Sequence, residues 1–237
     1  MRLDEVVSLK HEDDFIFAVT VGNEGGFMHC AILYKWEDGK IRTLEFSSNQ
    51  HINSKRTIGD LGQKGYLFIY YNKDLIIDSI AYQVPSICEL IKENNDSISF
   101  GIKFTKTSFD EFGKLVFANG DFGLTCATFL IAIFQRASIS LIDLNNWKKR
   151  QSDIDWQKRV LEHYDRINKE NKENYTDELI LYYEQNIGCF RYRPEEVAAA
   201  TAAPQLPTDY LYCWEFGTRI LDALNYGLEY YSTVHCS

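Results

Sequence analysis

The sequence predicts an α+β fold, in which an antiparallel sheet packs on a central helix and a C-terminal helical extension follows. Three observations predict it. Short β-branched and aromatic runs separated by glycine-containing turns fill the first hundred residues, one continuous apolar run follows, and charged segments with helical spacing come last. Apolar residues make up 45% and charged residues 25% of the 237 residues, which is the balance of an ordinary globular chain.

The first strands are separated by turn signals. A β-branched and aromatic run at 15–21 ends at the glycine-rich segment 22–26, and a second run covers 27–36. Residues 37–39 (EDG) predict a hairpin turn, which brings 41–46 back as an antiparallel neighbour. Three later segments complete this half of the chain: predicted strands at 66–71 and 98–104, and a predicted helix over 74–92 with a break near Pro85.

The apolar run predicts a largely buried helix from about Cys126 to Arg136. Thr125 comes directly before it and is a favourable N-cap residue. Beyond it, helical spacing or capping signals predict helices over 156–173, 176–186, 194–203 and 216–230. We therefore divide the chain into an α/β body, residues 1–150, and a helical extension packed on it, residues 151–237. No flexible linker separates the two, so we do not expect the extension to fold alone.

Composition excludes several classes of function. The net charge is −9 and no basic stripe occurs, which argues against nucleic-acid binding. No apolar stretch approaches the roughly 18 residues of a membrane span. Acids stand near the N-terminus where a signal peptide would be apolar, and the six cysteines form no CxxC pair. We expect reduced thiols and a cytoplasmic location, with delivery elsewhere by a secretion system left open.

Cys126 is the candidate nucleophile. A cysteine at a helix N-terminus is easier to ionise, because the positive end of the helix favours the thiolate, and free amides there can hold an oxyanion. Of the six cysteines only Cys126 has this predicted setting. The competing interpretation is a buried cysteine that only packs.

His29 is the candidate base, and Glu45 the candidate third group. His29 begins a predicted strand directly after two glycines, while the remaining histidines lie near the termini, in a polar loop or in a charged helix. Glu45 is the only acid in the returning hairpin strand, between Leu44 and Phe46, where an antiparallel neighbour brings it within reach of His29. The competing interpretations are a histidine satisfied by one hydrogen bond at a strand end and a solvated glutamate.

Three patches together resemble the circularly permuted NlpC-type papain-fold hydrolases, whose layout the lecithin-retinol-acyltransferase-like proteins share. They are His29 to Tyr34 (HCAILY), Leu44 to Phe46 (LEF) and Thr125 to Leu130 (TCATFL). In that group a histidine begins a strand, a polar residue follows on the next strand, and the nucleophilic cysteine comes later at a helix start.

The resemblance covers about residues 15 to 136 and implies a permuted papain-like fold with Cys126, His29 and Glu45 as catalytic residues. Two departures affect the third position. Ala31 stands where glycine is frequent, and the hairpin leading to Glu45 is about two residues longer than the pattern, which leaves Thr43 as a substitute. Nothing after residue 150 matches the group.

The first expected function is therefore a thiol hydrolase of the peptidase or amidase kind, or an acyl-transfer enzyme, that cleaves an amide, isopeptide or ester bond. Its substrate would be a peptide, a peptidoglycan fragment or an acyl compound, and it would need no cofactor or metal. The alternative is a non-catalytic α/β module that binds a partner protein through the aromatic-rich C-terminal helices. The sequence does not define the oligomeric state.

Overall fold

A computed structural model describes residues 15–47, 52–53, 56–118, 120–170 and 177–226, and its architecture is the predicted mixture of α and β. Its main sheet has five strands in the order β4-β3-β2-β1-β5, and each neighbouring pair is antiparallel. The strands are β1 (Phe17–Glu24), β2 (Phe27–Lys35), β3 (Ile41–Phe46), β4 (Ile52–Asn53) and β5 (Leu67–Tyr70).

A small second hairpin pairs β6 (Ser108–Phe109) with β7 (Leu115–Val116). The helices of the first half are α1 (Ile58–Gln63), α2 (Asp78–Ala81), α3 (Gln83–Asn94) and α4 (Cys126–Arg136). Those of the second half are α5 (Gln151–Glu170), α6 (Asp177–Asn186), α7 (Pro194–Thr201) and α8 (Tyr210–Tyr226), after a short 3₁₀ turn at Leu144–Asn146. Among the described residues, none of the helices is both long and apolar enough to cross a bilayer.

The first two hairpins set the register of the sheet. Gly25 and Gly26 both have positive φ, which glycine adopts without strain, and they turn β1 into β2. Gly22 then pairs with His29. Ala31 pairs with Glu45 across β2 and β3, so the side chains of His29 and Glu45 lie on one face of the sheet.

The two faces of the sheet are both covered. Cys30, Ile32 and Tyr34 belong to the large core cluster that contains α4 and α7. Leu33 of the opposite face packs with Leu61 of α1 and with Phe68 of β5. This arrangement places the start of α4 beside the beginning of β2.

The predicted strand at 98–104 is wrong. That segment makes only one β-bridge, between Phe100 and Leu124, and the Leu124 amide donates to the Ser99 carbonyl at 2.9 Å. The approach depends on Gly123, because a Cβ atom there would lie 2.0 Å from the Ser99 oxygen. The close backbone contact holds the loop that leads into α4.

Several predicted boundaries also shift. The break in the 74–92 helix falls at Tyr82, between α2 and α3, and Pro85 lies in the first turn of α3, where proline is tolerated. In the extension α5 begins at Gln151 and α8 at Tyr210, earlier than predicted, and the predicted helical positions 171–173, 176 and 227–230 lie outside the described residues.

Helix α7 of the extension lies within the core of the body. Val197, Ala198, Ala199 and Ala200 are fully buried, and α7 contacts β1, β2, β5 and α4. Helices α5 and α6 pack on each other around a smaller cluster that includes Tyr164, Leu179 and Tyr183.

Candidate active site

Cys126 is the first residue of α4, and a capping box fixes the start of that helix. Thr125 Oγ1 accepts a hydrogen bond from the Thr128 amide at 3.2 Å, and Thr128 Oγ1 accepts one from the Thr125 amide at 2.8 Å. The first amides of a helix, here those of Cys126 and Ala127, have no intrahelical acceptor. The Cys126 sulfur therefore lies at the positive end of α4 beside an available N–H donor.

Cys126 differs electrostatically from the other cysteines that the structure describes. It is half-buried, and its pKa is lowered well below 9. Burial is the main cause that raises the pKa of the remaining described thiols, which are Cys30, Cys88, Cys189 and Cys213. Cys236 lies outside the described residues.

The low pKa of Cys126 has identifiable causes. The largest is a hydrogen bond from the thiol of Cys30, whose effect on the pKa exceeds the opposing effect of burial. His29 lowers this pKa further, both through a hydrogen bond and through the positive charge of its ring. The backbone amide of Cys30 acts in the same direction. Two consecutive residues of β2 thus surround the sulfur at the head of α4 with donors, and these favour the thiolate.

His29 is buried at the beginning of β2, between Cys126 and Glu45. Its Nε2 lies 3.0 Å from Glu45 Oε2, which leaves Nδ1 as the ring nitrogen for the sulfur. Burial lowers the pKa of His29, but hydrogen bonds to Cys126 and Glu45, with their charges, outweigh it and raise the pKa to about 10. The structure therefore favours an imidazolium beside a thiolate.

Glu45 is 1% exposed, so the solvated interpretation of this residue is wrong. One of its carboxylate oxygens faces His29, and the other lies 3.2 Å from Arg56 Nε. Thr43 instead pairs with Leu33, and its hydroxyl donates to the Arg56 carbonyl at 2.9 Å. The structure brings Cys126, His29 and Glu45 together, whereas Thr43 lies two residues further from His29 along β3 than Glu45 does and donates to Arg56.

Arg56 and Glu24 complete the charged cluster, and the sequence analysis missed both. Arg56 forms an ion pair with Glu24, and its Nη1 donates to the Tyr66 hydroxyl at 3.1 Å. No local pattern marks Arg56, because its partners lie on other elements. The only signal is indirect: a carboxylate buried as deeply as Glu45 needs charged partners.

The ligand atoms of Glu24, His29 and Glu45 lie within 4.8 Å of one another, close enough in principle to hold a metal ion. Arg56, however, contacts both carboxylates and supplies a permanent positive charge between them. The donor set therefore fits an internal ion-pair cluster better than a divalent cation.

His163, a histidine judged solvated from the sequence, is exposed on α5 beside Arg166. His11, His51 and His235 lie outside the described residues.

Comparisons of the chain with protein-family models, with curated proteins and with solved structures find no match. The chemistry of the site is therefore argued from its own geometry: a thiolate, a base, an orienting carboxylate and a helix-end amide.

Proposed function

We propose that the protein is a thiol hydrolase or acyl-transfer enzyme that cleaves an amide, isopeptide or ester bond through Cys126, His29 and Glu45. One observation carries the proposal: the buried imidazole of His29 lies 3.0 Å from the Glu45 carboxylate, and its interaction with Cys126 raises the pKa of His29 and lowers that of the thiol. The order of these residues along the chain, with histidine and carboxylate on adjacent strands before the cysteine helix, supports a permuted papain-like site.

In the first step the Cys126 thiolate attacks the substrate carbonyl carbon, and the C=O pair moves onto oxygen. The Cys126 amide at the start of α4 donates a hydrogen bond to this oxyanion. His29 then gives its Nδ1 proton to the leaving amine or alcohol as the bond to carbon breaks. The products are a thioester on Cys126, a free leaving group and a neutral imidazole.

In the second step neutral His29 takes a proton from water while the water oxygen attacks the thioester. The carbon–sulfur bond breaks, the acid is released, and thiolate and imidazolium are restored. An amine or alcohol in place of water would give acyl transfer by the same proton path. Glu45 keeps the imidazole in the productive orientation throughout.

The expected substrates are peptides, peptidoglycan fragments or acyl compounds, which all present a carbonyl to the thiolate. A nucleophilic Cys126 in contact with a second thiol, Cys30, keeps its activity best where thiols stay reduced. This supports the cytoplasmic location that we propose for the chain.

The alternative function, partner binding through the aromatic residues of the extension, has less support. Five of the eleven aromatic residues described there are buried and used in packing: Tyr164, Tyr183, Tyr192, Tyr210 and Phe216. Trp214 and Leu211 are exposed three residues apart on α8, and Phe190 and Tyr226 are exposed as well, which leaves a smaller apolar surface for this alternative.

Selective alkylation tests the proposed function. At about pH 6 iodoacetamide should label Cys126 well ahead of Cys189, which is also half-buried but has a pKa raised to about 11. The His29→Gln variant should lose this selectivity. In addition, an activated ester should leave an acyl group on Cys126 that is absent from the Cys126→Ser variant. Equal, slow labelling of both cysteines in the wild type would contradict the proposal.

A further inference from the structure

We propose that Arg56 is a positioning residue of this site, whose ion pair holds the Glu45 carboxylate beside His29; the inference rests on the proposed thiol chemistry. Arg56 lies in the segment between β4 and α1 and belongs to none of the patches that carry the family resemblance. Its guanidinium touches the carboxylate and not the reacting atoms.

The two oxygens of Glu45 are divided between two partners. Oε2 lies 3.0 Å from His29 Nε2, and Oε1 lies 3.2 Å from Arg56 Nε. Oε2 is hydrogen-bonded to His29, whereas Oε1 makes no hydrogen bond, so Arg56 holds this second oxygen by its charge. The orientation of the imidazole therefore depends on Arg56 through Glu45.

Arg56 is itself held in place from several elements. Its carbonyl accepts from Thr43 of β3, its Nη1 donates to Tyr66, and it pairs with Glu24 of β1. The Tyr66 ring lies against Gly22, where a Cβ atom would come within 2.6 Å of the ring. A guanidinium anchored this way is only 18% exposed at its side chain.

The charge of Arg56 matters because the charge of His29 changes during the reaction. In the acyl-enzyme His29 is neutral, and Arg56 is then the charged partner that remains beside the buried carboxylate. Arginine stays charged at every relevant pH. The other groups near this carboxylate cannot replace Arg56. Burial and the charge of Glu24 raise the pKa of Tyr66, so Tyr66 stays neutral, and the Lys64 ammonium contacts Glu24 instead, at 3.4 Å.

The test measures the rate of Cys126 alkylation as a function of pH in the full chain. Arg56→Met removes a positive charge from the site and the ion pair of Glu45, which disfavours the thiolate, so the acid limb of the profile should move up by about one pH unit. Arg56→Lys keeps the charge without the forked geometry and should recover at least half of that shift. Tyr66→Phe, which removes an anchor of Arg56 without removing a charged group, should give a smaller shift in the same direction, and it provides the test if Arg56→Met does not fold.

Arg42→Met is the matched control. Arg42 lies on β3, as Glu45 does, and its Nη1 forms an ion pair with Glu89 at 2.9 Å. This variant should leave the alkylation profile of Cys126 unchanged. Thermal unfolding of each variant separates a loss of fold from a shift of the profile.

The outcomes separate this inference from the proposed function. A wild-type acid limb near the ordinary thiol pKa of 9.0 would overturn both. A low wild-type limb that stays in place in Arg56→Met and Tyr66→Phe would overturn only the role of Arg56. Equal shifts in Arg56→Lys and Arg56→Met would also overturn it, because charge would then not be the cause.

Discussion

At the residue scale, Cys30 makes a specific contribution to the reactivity of its neighbour. It is fully buried, and its thiol is the largest influence that lowers the pKa of Cys126. Cys30→Ala should move the acid limb of the Cys126 alkylation profile to higher pH and so slow the reaction on that limb by about three- to tenfold, the value of one ordinary hydrogen bond. Cys88→Ala, which removes an equally buried thiol from α3, is the control and should leave the rate unchanged. Equal rates in both variants would contradict this role.

The pairing of Cys126 with His29 also predicts how stability depends on pH. In the unfolded chain their pKa values are the ordinary 9.0 and 6.5, whereas in the fold that of Cys126 is well below 9 and that of His29 is about 10. Between pH 6.5 and 9 each state of the pair holds one proton, on His29 when folded and on Cys126 when unfolded, so the contribution of the pair to stability is constant.

Outside that window the contribution of the pair decreases. Below pH 6.5 the unfolded chain binds the extra proton, so stability falls as pH falls; above 9 the folded pair holds it, so stability falls as pH rises towards 10. Urea unfolding of the wild type and of the Cys126→Ser/His29→Gln double variant, compared across this range, isolates the effect. A steady decline from pH 6.5 upward would instead indicate a raised His29 pKa beside a neutral thiol.

The sequence was sufficient to select three residues that the fold brings together, and insufficient for the fourth. Cys126, His29 and Glu45 each carry a local signal: a helix start, a strand start after glycines, and an acid inside an apolar strand. Arg56 has none, since its contacts with Glu24 and Tyr66 arise only when separate strands meet. Their catalytic roles remain predictions.

At the element scale, the start of α4 depends on the capping box of Thr125. Thr125→Ala removes the acceptor for the Thr128 amide and should lower the free energy of unfolding by about 1 kcal/mol. Because the first turn carries Cys126, its alkylation should also slow. Asp209→Ala removes the acceptor for the Tyr212 amide at the start of α8 and should lower stability without slowing alkylation. Equal alkylation rates in the two variants would show that the cap does not position the thiol.

The loop before α4 depends on Gly123. A methyl group there overlaps the Ser99 carbonyl, so Gly123→Ala should displace the loop and lower the free energy of unfolding by roughly 1–3 kcal/mol. Gly62→Ala is the control, because a Cβ atom on this residue of α1 meets nothing within 4 Å. Thermal unfolding compares the two, and a neutral Gly123→Ala would mean that the close approach is not required.

The capping box and the Gly123 contact explain why α4 was predictable from the sequence and the path of residues 98–104 was not. The bounds of α4 follow from an apolar run and a cap residue, which are adjacent in the sequence. The segment at 98–104 has strand-like residues, but its one bridge is to Leu124, and its path is decided by the contact of Ser99 with Gly123. Periodicity does not carry that information.

At the scale of the whole molecule, the body and the extension share one core. The alanines of α7 lie against the same sheet face as α4, and the Asn72 side chain after β5 donates to the Ala203 carbonyl at 2.9 Å. An ion-pair cluster of Arg150, Asp153 and Glu196 joins the start of α5 to α7. The boundary at residue 150 therefore divides the sequence by composition while the packing is continuous across it.

This continuity predicts that β1, β2 and α7 unfold together. In native-state hydrogen exchange at increasing urea, their slowest amides should share one opening free energy, equal to that of global unfolding, because opening α7 exposes the sheet face it covers. The short helix α1, with one fully buried residue, Leu61, is the internal comparison and should exchange through local opening at lower free energy. If α7 opened before the sheet with a separate dependence on urea, the extension would be a cooperative unit of its own, and the site at the head of α4 would not need it.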